Sequence, residues 1–141
     1  MGVTPDNIVN YMQSYYPKTQ KWSKENLLGW VCWLIENNLV YCVFDKEEFA
    51  GMCIVRGIDN GVNTDNHYYH NEQSPNLWVE FLICLKPTSL KYITKFFRER
   101  FPQAKSIFYR RGKNNQFRAM VAQKLCDRMK LSSKKDTNIY G

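Results

Sequence analysis

Acidic side chains almost vanish from the second part of this chain: from Lys86 to Gly141 there are three Asp and Glu against fifteen Lys and Arg, a balance of +12. The first 85 residues carry ten acidic and five basic side chains, or −5, and the two parts sum to the net charge of +7. That scarcity of negative charge excludes an acidic tail and points to phosphate-bearing or acidic partners: nucleic acid, an acyl carrier such as coenzyme A, or an acidic protein surface. Long apolar runs are missing as well. None approaches the roughly 20 residues a membrane span needs, and the N-terminus lacks the basic, apolar and small-residue order of a signal peptide. Asp6 stands where a myristoylation signal wants Ser or Thr. The expectation is a soluble cytoplasmic protein with no membrane partner.

Metal-ligand spacing is also lacking. The five cysteines (Cys32, Cys42, Cys53, Cys84 and Cys126) are odd in number, lie at least ten residues apart and mostly sit inside apolar runs, which predicts reduced core thiols. Only His67-Tyr-Tyr-His70 comes near the spacing of a structural zinc site, and it reads better as a polar aromatic loop, so no metal is expected.

What is present is the patterning of a single domain over 1–131 followed by a polar tail, 132–141. Thr4-Pro5-Asp6 combines a cap, a first-turn proline and an early acid, and Ile8, Val9 and Met12 follow at helical spacing up to Pro17. Ser23 caps a second helix whose apolar stripe, Leu27, Trp30, Val31 and Leu34, ends near Asn37-Asn38. Leu39 to Phe44 and Phe49 to Ile58 predict an antiparallel hairpin around Asp45-Lys-Glu-Glu48. Residues 59–75 have no periodicity and predict a functional or mobile loop. Asn76 to Leu85 predicts a strand buried on both faces. Lys86-Pro87-Thr88-Ser89 opens a helix that Pro102 ends, Lys105 to Arg110 is a further strand leading into a basic turn at Arg110-Arg-Gly-Lys113, and Phe117 to Leu125 fits a helix, with a strand over Phe117–Val121 as the alternative.

The order α-α-β-β-loop-β-α-β-(α/β) makes an α+β or α/β domain with a mixed sheet flanked by helices, and from Thr4 to Arg111 it resembles the GNAT-type acyltransferases. Within that range, Tyr16-Pro17-Lys18 through Trp22, the hairpin Tyr41 to Ile58, and Trp78-Val-Glu-Phe81 through the helix closed by Phe101-Pro102 are similar in pattern to the toxin-activating lysine acyltransferases. The resemblance implies acetyl-CoA or another acyl-CoA as donor and an amine as acceptor, or a relative that has lost catalysis. The small size and the Asn- and Lys-rich texture suit a phage or mobile-element protein acting in a host cytoplasm.

Two departures from the family pattern stand out. The pyrophosphate loop Q/R-x-x-G-x-G/A is replaced by Lys86-Pro87-Thr88-Ser89, with no glycine and a proline that has no N–H to give. The histidine and aspartate implied before the Trp22-like and Trp78-like positions are replaced by Lys18-Thr19-Gln20 and Ser74-Pro75-Asn76.

The candidate catalytic residues are therefore Glu80, a lone acid in an apolar strand whose pKa burial raises toward that of a base, and Tyr109, placed to protonate a leaving thiolate. Each has an ordinary structural alternative: Glu80 paired with an arginine, Tyr109 a sheet tyrosine. Leu82, Ile83 and Cys84 at the strand end, with Lys86, Thr88, Ser89 and Lys91, are the candidate cofactor-binding residues. Cys84 as a nucleophile is the weaker reading beside a buried thiol. A different function class, a non-enzymatic nucleic-acid-binding module, rests on Arg110, Arg111, Lys113 and Arg118 interleaved with Tyr109 and Phe117. A third possibility is a structural or inhibitory protein that docks a partner through the 59–75 loop.

Overall fold

The computed structural model describes residues 3–59, 65–111 and 116–121, with only the backbone described for 17–18, 110–111 and 116–121. Helix α1 spans Pro5–Tyr15 and α2 Lys24–Glu36, joined by a 3₁₀ turn over Pro17–Lys21. Strands β1 (Val40–Asp45), β2 (Glu48–Ile58) and β3 (Asn76–Cys84) precede helix α3 (Pro87–Arg100), which leads into β4 (Ser106–Arg111) and β5 (Gln116–Val121). The sheet order is β1-β2-β3-β4-β5, with the β3–β4 pair parallel and every other pair antiparallel. This is an α+β fold on a mixed sheet. The segment for which both a helix and a strand were open is, over Gln116–Val121, a strand. Among the described residues no helix is long and apolar enough to cross a membrane.

The helix signals act as their chemistry requires. Thr4 Oγ1 accepts from the Asn7 N–H at 3.2 Å and Ser23 Oγ from the Asn26 N–H at 3.0 Å, each satisfying one first-turn donor that has no intrahelical partner. At the other end of α2, Asn38 takes a left-handed φ of 55°, while the Leu39 N–H returns to the Leu34 carbonyl at 2.9 Å. The β1–β2 turn places Lys46 and Glu47 at φ 49° and 72°, the backbone of a hairpin turn that glycine ordinarily supplies.

The helices flank the sheet on opposite faces. Phe81 pairs across the ladder with Ile54 and meets Trp30 of α2 and Tyr16 at the end of α1; Tyr41 pairs with Cys53 and stacks on Phe96 of α3. Because Cys53 and Ile54 are successive strand residues, their side chains point to opposite faces. Both layers are apolar where they meet the sheet, with Ile8, Met12, Leu27, Val31 and Leu34 buried on one side and Ile93 and Phe97 on the other.

Two expectations are corrected here. β3 is not buried throughout: Leu77, Trp78, Val79, Phe81 and Ile83 are buried, but Leu82 and Cys84 are exposed, because β4 pairs with β3 only at Asn76–Trp78 and then departs. The cysteines are also not uniformly core thiols, since Cys53 is buried, Cys42 half-buried, and Cys32 and Cys84 exposed; these four are unbridged, and Cys126 lies outside the described residues.

The described part of the long loop, 65–75, is fastened to β2. The Asn71 N–H donates to the Gly57 carbonyl at 2.9 Å and the Gly57 N–H to His70 Nδ1 at 2.9 Å, so the loop runs directly against Gly57. A Cβ at Gly57 would lie 2.1 Å from the Asn71 carbonyl oxygen. His70 Nε2 meets Glu72 at 2.9 Å, and Glu72 forms a two-pronged ion pair with Arg100, whose guanidinium also donates to the Asn37 and Asn38 carbonyls at the end of α2. Arg100 thus closes the C-terminus of α2 while latching the loop to α3. The bond to Arg100, working against partial burial and aided by His70, holds the Glu72 carboxyl well below its usual 4.5, at about 2.

Gly57→Ala is expected to cost about 1–3 kcal/mol or more, since the obstructing atom is backbone that cannot rotate away; urea unfolding measures it, and an unchanged midpoint would show that the loop does not press on β2. For Glu72 the folded pKa is depressed, so its contribution is present above pH 4.5 and is lost as pH falls toward 2. Wild type should therefore lose more stability than Glu72→Gln over that window, by a modest and salt-sensitive amount because the carboxylate is half exposed.

Candidate active site

Two lone charges in apolar strands meet inside the fold. Arg56 of β2 is fully buried (0 %) and the Glu80 side chain is 8 % exposed; Glu80 Oε1 accepts from Arg56 Nε at 2.8 Å and Nη2 at 2.6 Å. The ladder explains how Glu80 reaches its partner. Ile54 pairs with Phe81 and Val55 with Val79, so Glu80 is the extra residue of a β-bulge, and its side chain is aimed by that irregularity. Arg56 Nη1 continues to the Tyr69 carbonyl at 3.1 Å, tying the loop to the pair.

His67 completes the group. Its Nδ1 lies 3.2 Å from Glu80 Oε1, and its side chain is 41 % exposed. An ionised carboxylate only accepts hydrogen bonds, so Nδ1 carries a proton, which in the neutral form of the ring leaves the lone pair on Nε2. No described residue is hydrogen-bonded to that nitrogen. Trp22 and Trp30 flank the ring at centroid distances of 5.5 and 5.6 Å, and the Trp30 Nε1–H donates to the His67 carbonyl at 2.8 Å, fixing the backbone beneath it. Trp22 is itself exposed, so the imidazole and the two indoles form an aromatic cluster that reaches the surface.

Burial pushes the Glu80 carboxyl up, but the hydrogen bond from His67 together with the charge and hydrogen bonds of Arg56 outweigh it and hold the group below its usual value. The sequence-based expectation of a raised pKa is corrected accordingly: the carboxylate is ionised and engaged, suited to orienting a base. Its arginine pairing, the structural alternative, is present alongside the contact to His67.

The remaining candidates spread around this centre. Tyr109 lies on β4 beyond Phe108, the last residue paired with β3, and its half-buried ring packs on the core. Leu82 and Cys84 are exposed at the open end of β3 and Ile83 between them is buried; partial desolvation raises the Cys84 thiol, which disfavours the thiolate a nucleophile needs. Lys86 Nζ is paired with Asp45 at 2.6 Å, and Ser89 Oγ donates to the Ala50 carbonyl at 2.7 Å, so the Ser89 hydroxyl is turned into the fold. Thr88 is half-buried and Lys91 exposed on α3. The β4–β5 register sets Arg110 opposite Phe117 and Tyr109 opposite Arg118. The side chains of Arg110, Arg111 and Arg118, and all of Lys113, lie outside the described residues.

Sequence reasoning did not bring His67 or Arg56 to Glu80, and it placed Trp22 and Trp30 without placing them beside a histidine. His67 and His70 do not converge: His67 turns to Glu80 while His70 bridges Gly57 and Glu72. Among the described residues no three His, Cys, Asp or Glu side chains gather as a metal site would require. No protein-family model matches this chain, and no curated protein matches it in sequence.

Removing one partner of a buried ion pair strands the other charge. Glu80→Ala should cost about 3–5 kcal/mol, whereas the double variant Arg56→Met with Glu80→Leu should recover most of that loss. Denaturant unfolding of the single and double variants checks this, and equal losses would mean the pair is not desolvated.

Proposed function

We propose that the protein is a GNAT-like acyltransferase that moves an acyl group from a thioester donor such as acyl-CoA to an amine, with His67 as the general base and Glu80 as the carboxylate that orients it. The observation that carries this reading is the parallel β3–β4 pair, which ends at Trp78 and Phe108, with the bulged Glu80 two residues beyond Trp78 and His67 against its carboxylate. In this reading an extended donor lies where the sheet opens, with the dyad beside it.

The chemistry follows from the tautomer. The amine nitrogen attacks the thioester carbonyl, its surplus proton passes to His67 Nε2, the C–N bond forms as the C–S bond breaks, and the proton on the imidazole is available to the departing thiolate. Glu80 holds the ring in orientation and stabilises the transient imidazolium, as a buried carboxylate does in other histidine-based sites. Trp22 and Trp30 supply a wall on which an acceptor ammonium can rest before losing its proton. The Lys86–Ser89 turn offers the donor phosphates less than a glycine-rich loop does, with Lys86 shared with Asp45 and the Ser89 hydroxyl turned inward. Lys91 on the exposed face of α3 is the basic residue best placed to compensate.

The test is thiol release from acyl-CoAs of graded chain length in the presence of primary amines. His67→Ala should lower kcat by about 10²–10⁴ and leave the unfolding midpoint close to wild type, because the ring is partly exposed. Absence of both acyl-CoA stabilisation and thiol release in the wild-type protein would overturn the reading, as would a fully active His67→Ala.

A further inference from the structure

The β1–β2 pairing stops at Val40 opposite Ile54, yet β2 continues to Ile58. On that edge the Val55 N–H still finds the Leu39 carbonyl at 3.0 Å, whereas the next N–H to point the same way, that of Gly57, finds His70 Nδ1 at 2.9 Å. A ladder position that a carbonyl ordinarily fills is held by a titratable ring. The difference is chemical, since a carbonyl accepts at any pH and an imidazole nitrogen only while it carries no proton.

A backbone N–H only donates, so His70 Nδ1 is the bare nitrogen and Nε2 carries the proton that meets Glu72 Oε1 at 2.9 Å. The side chain is 6 % exposed and Phe101 covers it edge-on, so neither bond is readily exchanged for one to water. The charged and titratable groups around the ring are Glu72 on the same segment, Arg100 of α3 paired with that carboxylate, and Asp59 just past β2, which holds the Tyr69 hydroxyl and the Asn71 side-chain amide. Among the described residues no other charged side chain bonds the imidazole. A proton added to Nδ1 sets two donors face to face at Gly57 and leaves the Glu72 bond intact. His67 differs, because a proton taken up on its Nε2 leaves the bond to Glu80 in place.

We propose that His70 is a proton-sensitive clasp: while neutral it holds the 65–75 segment on the β2 edge, and once protonated it releases Gly57 while staying tied to Glu72 and Arg100. The release reaches the candidate site through the residues just before it. Tyr69 gives its carbonyl to Arg56 at 3.1 Å, and His67 gives its carbonyl to the Trp30 indole N–H at 2.8 Å. His70 is in this sense a positioning residue for His67. The inference deepens the acyl-transfer reading as regulation of that site and rests on it only for what the site does, since the clasp itself is a property of the fold.

The test is hydrogen exchange followed by NMR on the unaltered protein between about pH 7.5 and 5.5, the range in which imidazoles titrate and one that lies above the titration of Glu72. Corrected for the intrinsic pH dependence of exchange, protection of the Gly57 amide should fall about ten- to hundredfold as the His70 ring resonances shift, and the Trp30 indole N–H should lose protection over the same range. In His70→Asn a side-chain carbonyl accepts from Gly57 without titrating, so both groups should keep their protection throughout; the wild-type titration decides the matter if that variant folds poorly. A Gly57 amide that stays protected while His70 titrates, a His70 ring that does not titrate in this range, or a His70→Asn protein that responds to acid as wild type does overturns the clasp. A response at Gly57 that never reaches Trp30 overturns control of the site. The expected pattern without thiol release from acyl-CoA retains this inference and removes the enzymatic reading. Thiol release with a pH-invariant Gly57 amide does the reverse.

Discussion

A guanidinium with no solvent contact inside a sheet is a liability unless its charge is met, and the arrangement around Arg56 is the answer to that constraint. Desolvating a charge costs several kcal/mol, which a partner repays only with good geometry and with its remaining donors satisfied. Glu80 meets two donors of Arg56 and the Tyr69 carbonyl a third. Placing the carboxylate within reach requires the bulge in β3, and placing the carbonyl requires the 65–75 segment to lie against β2. The close approach at Gly57 and the latch through His70, Glu72 and Arg100 secure that path. The position of His67 is therefore inherited from a packing problem, since the segment that satisfies Arg56 also carries the imidazole to Glu80.

The same bulge lies where the sheet divides. β3 serves β2 along its whole length but β4 over only three residues, so its far end has one paired and one open edge. An open strand edge presents polar groups that take a partner from the protein or from water. The junction of α1 and the 3₁₀ turn provides one with Tyr16. The charged group and the opened edge are thus neighbours on one strand, two residues apart, and the aromatic wall of Trp22 and Trp30 extends from the same helical layer that supplies the tyrosine.

Much of this architecture is legible from local chemistry. Thr4-Pro5-Asp6, Ser23 and Asn37-Asn38 mark helix ends with residues whose side chains or backbone preferences act there as expected. The hairpin, the strand after the long loop and the helix between Pro87 and Pro102 follow from periodicity and punctuation. The site is less legible, because it depends on contacts between residues far apart in the chain. Glu80 stands out as a lone acid in an apolar strand, yet Arg56 stands out equally in its own, and opposite charges isolated in adjacent strands are a readable signal of pairing. His67 carries no such signal, since its partner is set by where an aperiodic loop returns to the sheet. Bulges insert a single residue without a sequence signature, so strand parity could not say that Leu82 and Cys84 would face an opened edge. The proposal of a GNAT-like relationship rests on element order and on the parallel β3–β4 pair.

Tyr16 is held twice, its N–H bonded to the Met12 carbonyl and its carbonyl accepting from Thr19, while its hydroxyl bridges the N–H and C=O of Leu82. A group that moves by rotation about two side-chain bonds interconverts far faster than a segment that must unfold or swing on a hinge. The contact at this strand edge therefore opens and re-forms while the helices and strands around it stay in place.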